Sequence, residues 1–124
     1  MKSCVVCLAS VLALATPVCS SILVVEPGGG GDYPTIQAAI SAAMDGDEIV
    51  LSDGVFTGVG NRNIDLGGKA ITVRSQSGDP ASCVIDVQGD YDSISDQGFY
   101  FHSGEGSDSV VRDLTITNAV ADGA

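Results

Sequence analysis

The densest set of side chains able to do chemistry is the acidic stretch Asp90-Tyr91-Asp92-Ser93-Ile94-Ser95-Asp96. Its D-x-D-x-x-x-D spacing offers three carboxylates, and calcium takes about six to eight such hard oxygens. Asp90, Asp92 and Asp96 are therefore the candidate metal ligands, with calcium the candidate cofactor. Ile94 stands where a fifth-position oxygen ligand belongs, and no bidentate Glu follows. The plain alternative is a solvated acidic loop. His102 is the only histidine. With Asp108, and with Ser103 or Ser109, it spells out Ser, His and Asp, but nothing in the spacing supplies the geometry a triad needs. No catalytic residue is assigned. Tyr91 and Tyr100 carry rings that can stack on sugars, although Tyr100 also fits as a plain outward residue between Phe99 and Phe101. Arg74 and Arg112 are the outward cations able to meet an acidic ligand. With 16 acidic against five basic residues, their expected partners are the chain's own carboxylates.

The net charge of −11 excludes nucleic acid and anionic membrane as main partners, because both need a basic footprint. Gly28 to Gly31 form a glycine run, but no G-x-x-x-x-G-K-[ST] pattern accompanies it, so it reads as a turn rather than a phosphate cradle.

These side chains need a scaffold. The chain has 124 residues, room for one domain at most. Met1-Lys2 gives a short positive start, Cys4 to Ala15 is apolar, Pro17 breaks the run, and Val18-Cys19-Ser20 suits a cut before Ser21. Residues 1–20 thus read as a secretory signal peptide. The run is shorter than the ~20 residues a membrane span needs, so no transmembrane segment is expected after its removal. A lipid anchor on Cys19 is the lesser option, since Val18 stands where a smaller residue would be expected. The body, 21–124, is then secreted or at the cell surface. It keeps one cysteine, Cys83, expected as a small buried hydrophobe or as the partner of a cysteine beyond Ala124.

Within the body, Thr35 to Met44 is the one helix. Ile36, Ala39, Ile40, Ala43 and Met44 make a single apolar stripe, with Pro34 suited to its start and Gly46 to its stop. Ile22–Val25, Glu48–Leu51, Ala70–Arg74, Cys83–Val87, Gly98–His102 and Val110–Asn118 read as short strands separated by Gly, Asp, Ser and Asn clusters. No two-residue hairpin turn such as Asn-Gly joins them, which disfavours tight antiparallel pairs. Ile49 and Ile71 lie 22 residues apart, and Ile71-Thr72-Val73-Arg74 is echoed 43 residues on by Leu114-Thr115-Ile116-Thr117. A period of this order suits a solenoid of parallel β coils. Ile71, Val73, Val84, Val87, Phe99, Phe101, Leu114 and Ile116 are its expected inward positions. Thr72, Arg74, Thr115 and Thr117 are its expected outward ones.

Gly31-Asp32-Tyr33-Pro34-Thr35-Ile36-Gln37-Ala38-Ala39-Ile40, followed by Gly46-Asp47-Glu48-Ile49-Val50-Leu51-Ser52-Asp53-Gly54-Val55-Phe56, resembles the opening of the pectin-lyase-like superfamily. Ile71 to Ser75, Val84 to Asp86, Gly98 to His102 and Leu114 to Ala119 resemble its following coils. The resemblance implies an all-β fold, a right-handed parallel β-helix with a short N-terminal capping α-helix. The chain reads as the N-terminal part of such a domain, truncated at its C-terminal end, since no polar cap follows Asn118. Lyases of that superfamily use calcium with a basic exterior residue, and its esterases use paired aspartates with an arginine. Both sets belong to later coils, and none is carried over. The expected role is an exported β-helix segment that binds polysaccharide or a cell-surface protein, with self-association through its open C-terminal coil. The alternative is the opening fragment of a polysaccharide lyase or pectin-esterase-like enzyme.

Overall fold

Alternating apolar residues in runs of two to four build short strands, and the chain lays them side by side in parallel. The computed structural model describes residues 20–90 and 96–120. In chain order these hold β1 (Ile22–Val25), α1 (Ile36–Ala42), β2 (Glu48–Leu51), β3 (Gly54–Phe56), β4 (Ile64–Asp65), β5 (Thr72–Ser75), β6 (Cys83–Asp86), β7 (Phe99–Tyr100), β8 (Val110–Arg112) and β9 (Thr115–Thr117). The leader expected over residues 1–20 lies outside the described residues except for Ser20. Among the described residues no helix is long and apolar enough to cross a membrane.

The strands form three parallel sheets, ordered β1-β2-β5-β8, β3-β6-β9 and β4-β7. The chain visits the sheets in turn, running from β2 through β3 and β4 to β5, and then from β6 through β7 to β8. Register stacks like on like. Leu23, Ile49, Val73 and Val111 form one column, and Phe56, Ile85 and Ile116 another. Leu23, Ile49, Val73, Phe56 and Ile85 are fully buried and share one core with Ile64, Leu66, Ile71 and Val87. Ile116 is inward by register, yet 43% exposed, because no further described strand lies beyond β9.

Several expectations change. The 43-residue echo does not mark equivalent positions: β5 pairs with β8, whereas β9 lies beside β6 in another sheet. The single strand expected over Val110–Asn118 is two, divided at Asp113, whose φ of 60° turns the chain from one sheet to the next. β3 and β4 were not anticipated. In and beside β6, Val84 is not inward as expected, whereas Cys83 and Val87 are buried as expected. Cys83 and Ile85 point inward while Val84 is half-buried in register with exposed Val55. Phe101, expected inward, is 50% exposed.

Helix α1 is shorter than expected, and both its ends are held by other parts of the fold. Thr35 Oγ1 accepts from Ala38 N at 3.1 Å, Asn61 Oδ1 accepts from Ile36 N at 3.0 Å, and the Gly60 carbonyl accepts from Gln37 N at 2.9 Å. These donors have no partner within a helix, so each bond removes a cost of desolvation. At the other end Lys69 Nζ donates to the carbonyls of Ile40, Ala43 and Ser41 at 2.7, 2.8 and 3.2 Å. The buried stripe of Ile36, Ala39 and Ile40 lies on the core. Before the helix, Asp32 returns to β1: its N–H donates to the Val24 carbonyl at 2.7 Å and its Oδ2 accepts from Val24 N at 2.9 Å. That Val24 N–H holds the Asp32 carboxyl below the ordinary range.

Candidate functional site

The β4-β7 sheet gathers the chain's polar chemistry on its outer side. Asp65 on β4 is in register with Tyr100 on β7. His102 lies two residues beyond Tyr100, the spacing that returns a side chain to the same face of an extended chain. The two rings stack, with centroids 4.0 Å apart and planes inclined at 26°. His102 Nε2 lies 3.0 Å from Asp65 Oδ2. The Ser103 hydroxyl makes a long 3.5 Å contact to Asp65 Oδ1, which also accepts from Gly67 N at 2.8 Å. Glu105 folds back over the same turn, accepting from Ser103 N at 2.9 Å and Gly68 N at 3.2 Å.

These contacts set the ionisation. The Gly67 N–H, followed by His102 and Ser103, holds the Asp65 carboxyl below its usual range. Backbone N–H groups, its own first and then those of Ser103 and Gly68, do the same for Glu105. Both carboxylates are thus anionic acceptors at neutral pH.

The arrangement is not that of a nucleophile. Ser103 and His102 both bond to Asp65, so the carboxylate stands between hydroxyl and imidazole. A catalytic serine needs the base on its hydroxyl and the carboxylate on the far side of the base. The Asp partner of His102 is Asp65, not Asp108 or another residue near it in sequence. Ser109 is engaged elsewhere, donating to the Lys69 carbonyl at 2.8 Å.

Arg74 pairs with Glu48 at 3.5 Å, and Arg112 pairs with Asp113. Both cations therefore meet carboxylates of the chain, as its composition leads one to expect. Arg62 differs. Its Nη1 donates to the Val87 carbonyl at 3.1 Å, and it makes no ion pair among the described residues. It lines a cavity of ≈ 410 Å³ with Gln37, Val59, Asn63 and Asp96.

Of the calcium candidates, Asp92 lies outside the described residues. Asp96 is buried, and its oxygens accept from Asn63 Nδ2 at 3.2 Å and from the Asp90 backbone N–H at 3.4 Å. Its backbone pairs antiparallel with Val120. Tyr91 also lies outside the described residues. Among the described residues no three His, Cys, Asp or Glu side chains converge as metal ligands.

Sequence reasoning passed over Asp65, Gln37, Asn61, Arg62 and Lys69. One local signal was present at Asp65, which precedes Leu66-Gly67-Gly68 and accepts from Gly67 as an Asx turn does. The comparisons add nothing to this geometry: no protein-family model, no curated protein and no solved structure matches the chain.

Proposed function

We propose that the chain is the N-terminal part of a right-handed parallel β-helix of pectin-lyase-like type, exported, and that it works as a binding surface for polysaccharide. The fold reading is supported by three parallel sheets visited in rotation, since parallel crossovers are right-handed in nearly all proteins. It is supported too by the helix whose apolar stripe packs beside β1, β2 and β4, where a solenoid needs its first level covered.

The observation that carries the binding reading is the stacked Tyr100–His102 pair beside the Asp65 carboxylate. An exposed aromatic pair takes the apolar face of a sugar ring, and anionic acceptors take its hydroxyl hydrogens. The bonding order Ser103–Asp65–His102 favours binding over hydrolysis. Acidic Asp65 and Glu105 favour neutral glycans over polyuronates.

The test is affinity electrophoresis of the exported protein in gels containing neutral polysaccharides or polygalacturonate. Retardation in a neutral gel, weakened about tenfold or more by Tyr100→Ala, is the expected result. Equal retardation of wild type and Y100A removes this site as the binding surface. Release of products from polygalacturonate by the purified protein removes the non-catalytic reading.

A further inference from the structure

The residue after the expected cut, Ser21, is already seated on a buried carboxylate. Ser21 N donates to Asp47 Oδ1 at 2.8 Å, and its carbonyl accepts from Glu48 N at 2.9 Å. Ser21 is 2% exposed and Asp47 1%. Asp47 sits in the turn between α1 and β2, and its Oδ2 accepts from Met44 N at 2.9 Å. Its backbone is fixed as well, donating to the Met44 carbonyl at 3.0 Å and accepting from Thr72 N at 3.2 Å.

We propose that Ser20–Ser21 is a processing site whose new N-terminus locks the fold, the Ser21 ammonium forming a buried ion pair with Asp47. The proposal rests on the export reading of residues 1–20. Hydrolysis of the Ser20–Ser21 peptide bond consumes one water. It leaves a carboxylate on Ser20 and an amine on Ser21, which takes up a proton at neutral pH. The amide hydrogen bond to Asp47 then becomes an ion pair on the same two atoms. A buried ion pair is often offset by desolvation of its members. Here the carboxylate is desolvated before and after cleavage, so only the ammonium's burial is new. Because Ser21 is buried in the folded chain, the proposal requires the cut to precede folding.

The charged groups on the elements around this nitrogen are few. Asp45 is on the same turn, with Oδ1 accepting from Ala70 N at 2.9 Å. Glu48 begins β2 and pairs with Arg74 of β5. Lys69 is held on the α1 carbonyls. Asp32 is at the far end of β1, on Val24. Asp45 and Glu48 favour a cationic amine, and among the described residues on these elements Lys69 and Arg74 oppose it.

The experiment compares the chain beginning at Ser21, released from a fusion without extra residues, with the same chain Nα-acetylated, with Asp47→Asn and with the unprocessed chain. Thermal unfolding is followed from pH 6 to pH 10. At pH 6 the free-amine form is expected to melt on the order of 5 °C above its acetylated twin. If the ion pair forms, the Asp47 carboxylate outweighs burial and lifts the folded-state amine above its ordinary range of about 7.7–8.0. Its contribution is therefore complete below that range and lost as pH rises through the folded value. The gap should close in alkali and vanish in D47N. No gap at pH 6, a gap indifferent to pH, or a gap that persists in D47N overturns the ion pair. If D47N fails to fold, the free and acetylated pair alone decides the matter. N-terminal sequencing of the exported protein tests the cut separately. A start at another residue overturns the processing site, whatever the melting curves show.

Discussion

The side-chain amide of Gln37 grips the backbone of Asp65 at both polar atoms, Nε2 donating to its carbonyl at 3.0 Å and Oε1 accepting its N–H at 2.8 Å. In a parallel ladder alternate residues direct their backbone groups to opposite edges. Ile64 turns toward β7, its N–H donating to the Gly98 carbonyl at 2.9 Å. Asp65 turns the other way, where no described strand lies, and Gln37 supplies the two partners a strand would have supplied. Helix α1 thus holds the residue on which the His102 site is built.

Gln37→Ala leaves both backbone groups of Asp65 without those partners. It is expected to destabilise the fold by about 1–3 kcal/mol in urea unfolding. Gln37→Leu, of similar bulk, should cost as much, because the loss is polar rather than steric. A loss under about 0.5 kcal/mol in both variants would mean that water replaces the amide fully.

Lys69→Met keeps the aliphatic stem and removes the ammonium from three carbonyls at the end of α1. A loss of about 1–2 kcal/mol is expected, with the helix end fraying first in amide hydrogen exchange. Unchanged protection at Ala42 and Ala43 would count against this role.

Gly31 passes so close to β1 that a Cβ placed on it would lie 2.5 Å from the Val24 carbonyl oxygen, a backbone atom. Gly31→Ala must displace β1 from its Asp32 clamp, at a cost of about 1–3 kcal/mol. Gly28→Ala is the control. Nothing lies within 4 Å of its added Cβ, and it should stay within about 0.5 kcal/mol of wild type.

Asp65 and Glu105 both have folded-state values below their ordinary range, for reasons of hydrogen bonding. A depressed carboxyl contributes stability above its unfolded value, and that contribution is lost as pH falls through the folded one. Wild-type Tm is therefore expected to decline below about pH 4. Asp65→Asn should flatten that acid limb while lowering Tm at pH 7. His102→Gln should have a smaller effect in the same sense, since the Gly67 N–H is the larger cause. An acid limb identical in D65N and wild type would contradict the assignment.

The Cys83 thiol is pushed up to about 11, by burial first and then by the charge of Asp53. At pH 8 roughly one molecule in a thousand then carries the thiolate that reacts. Native protein should be silent to a disulfide reagent over hours and react at once in denaturant. Fast reaction of the native protein would mean that the β3-β6 sheet opens locally.

Much of the local structure was legible in the residues themselves. The apolar stripe of Ile36, Ala39 and Ile40 marks a helix, since no strand returns those positions to one face. The β-branched runs of β1, β2 and β5 mark strands, and the absence of tight hairpin turns points to parallel pairing. The pairing of Arg74 and Arg112 with carboxylates follows from charge balance alone. Tertiary structure decided everything that depends on register. The connections between successive strands differ in length, so no fixed period carries Ile71 to its true neighbour, and the echo at Leu114 falls in another sheet. The pairing of β6 with β3 turns Val84 out, in register with exposed Val55, while the burial of Cys83 was already expected from its residue type. The partner of His102 is Asp65, 37 residues away, brought alongside by β4 and β7. Sequence spacing describes neighbours along the chain. The chemistry of this protein lies between neighbours across it.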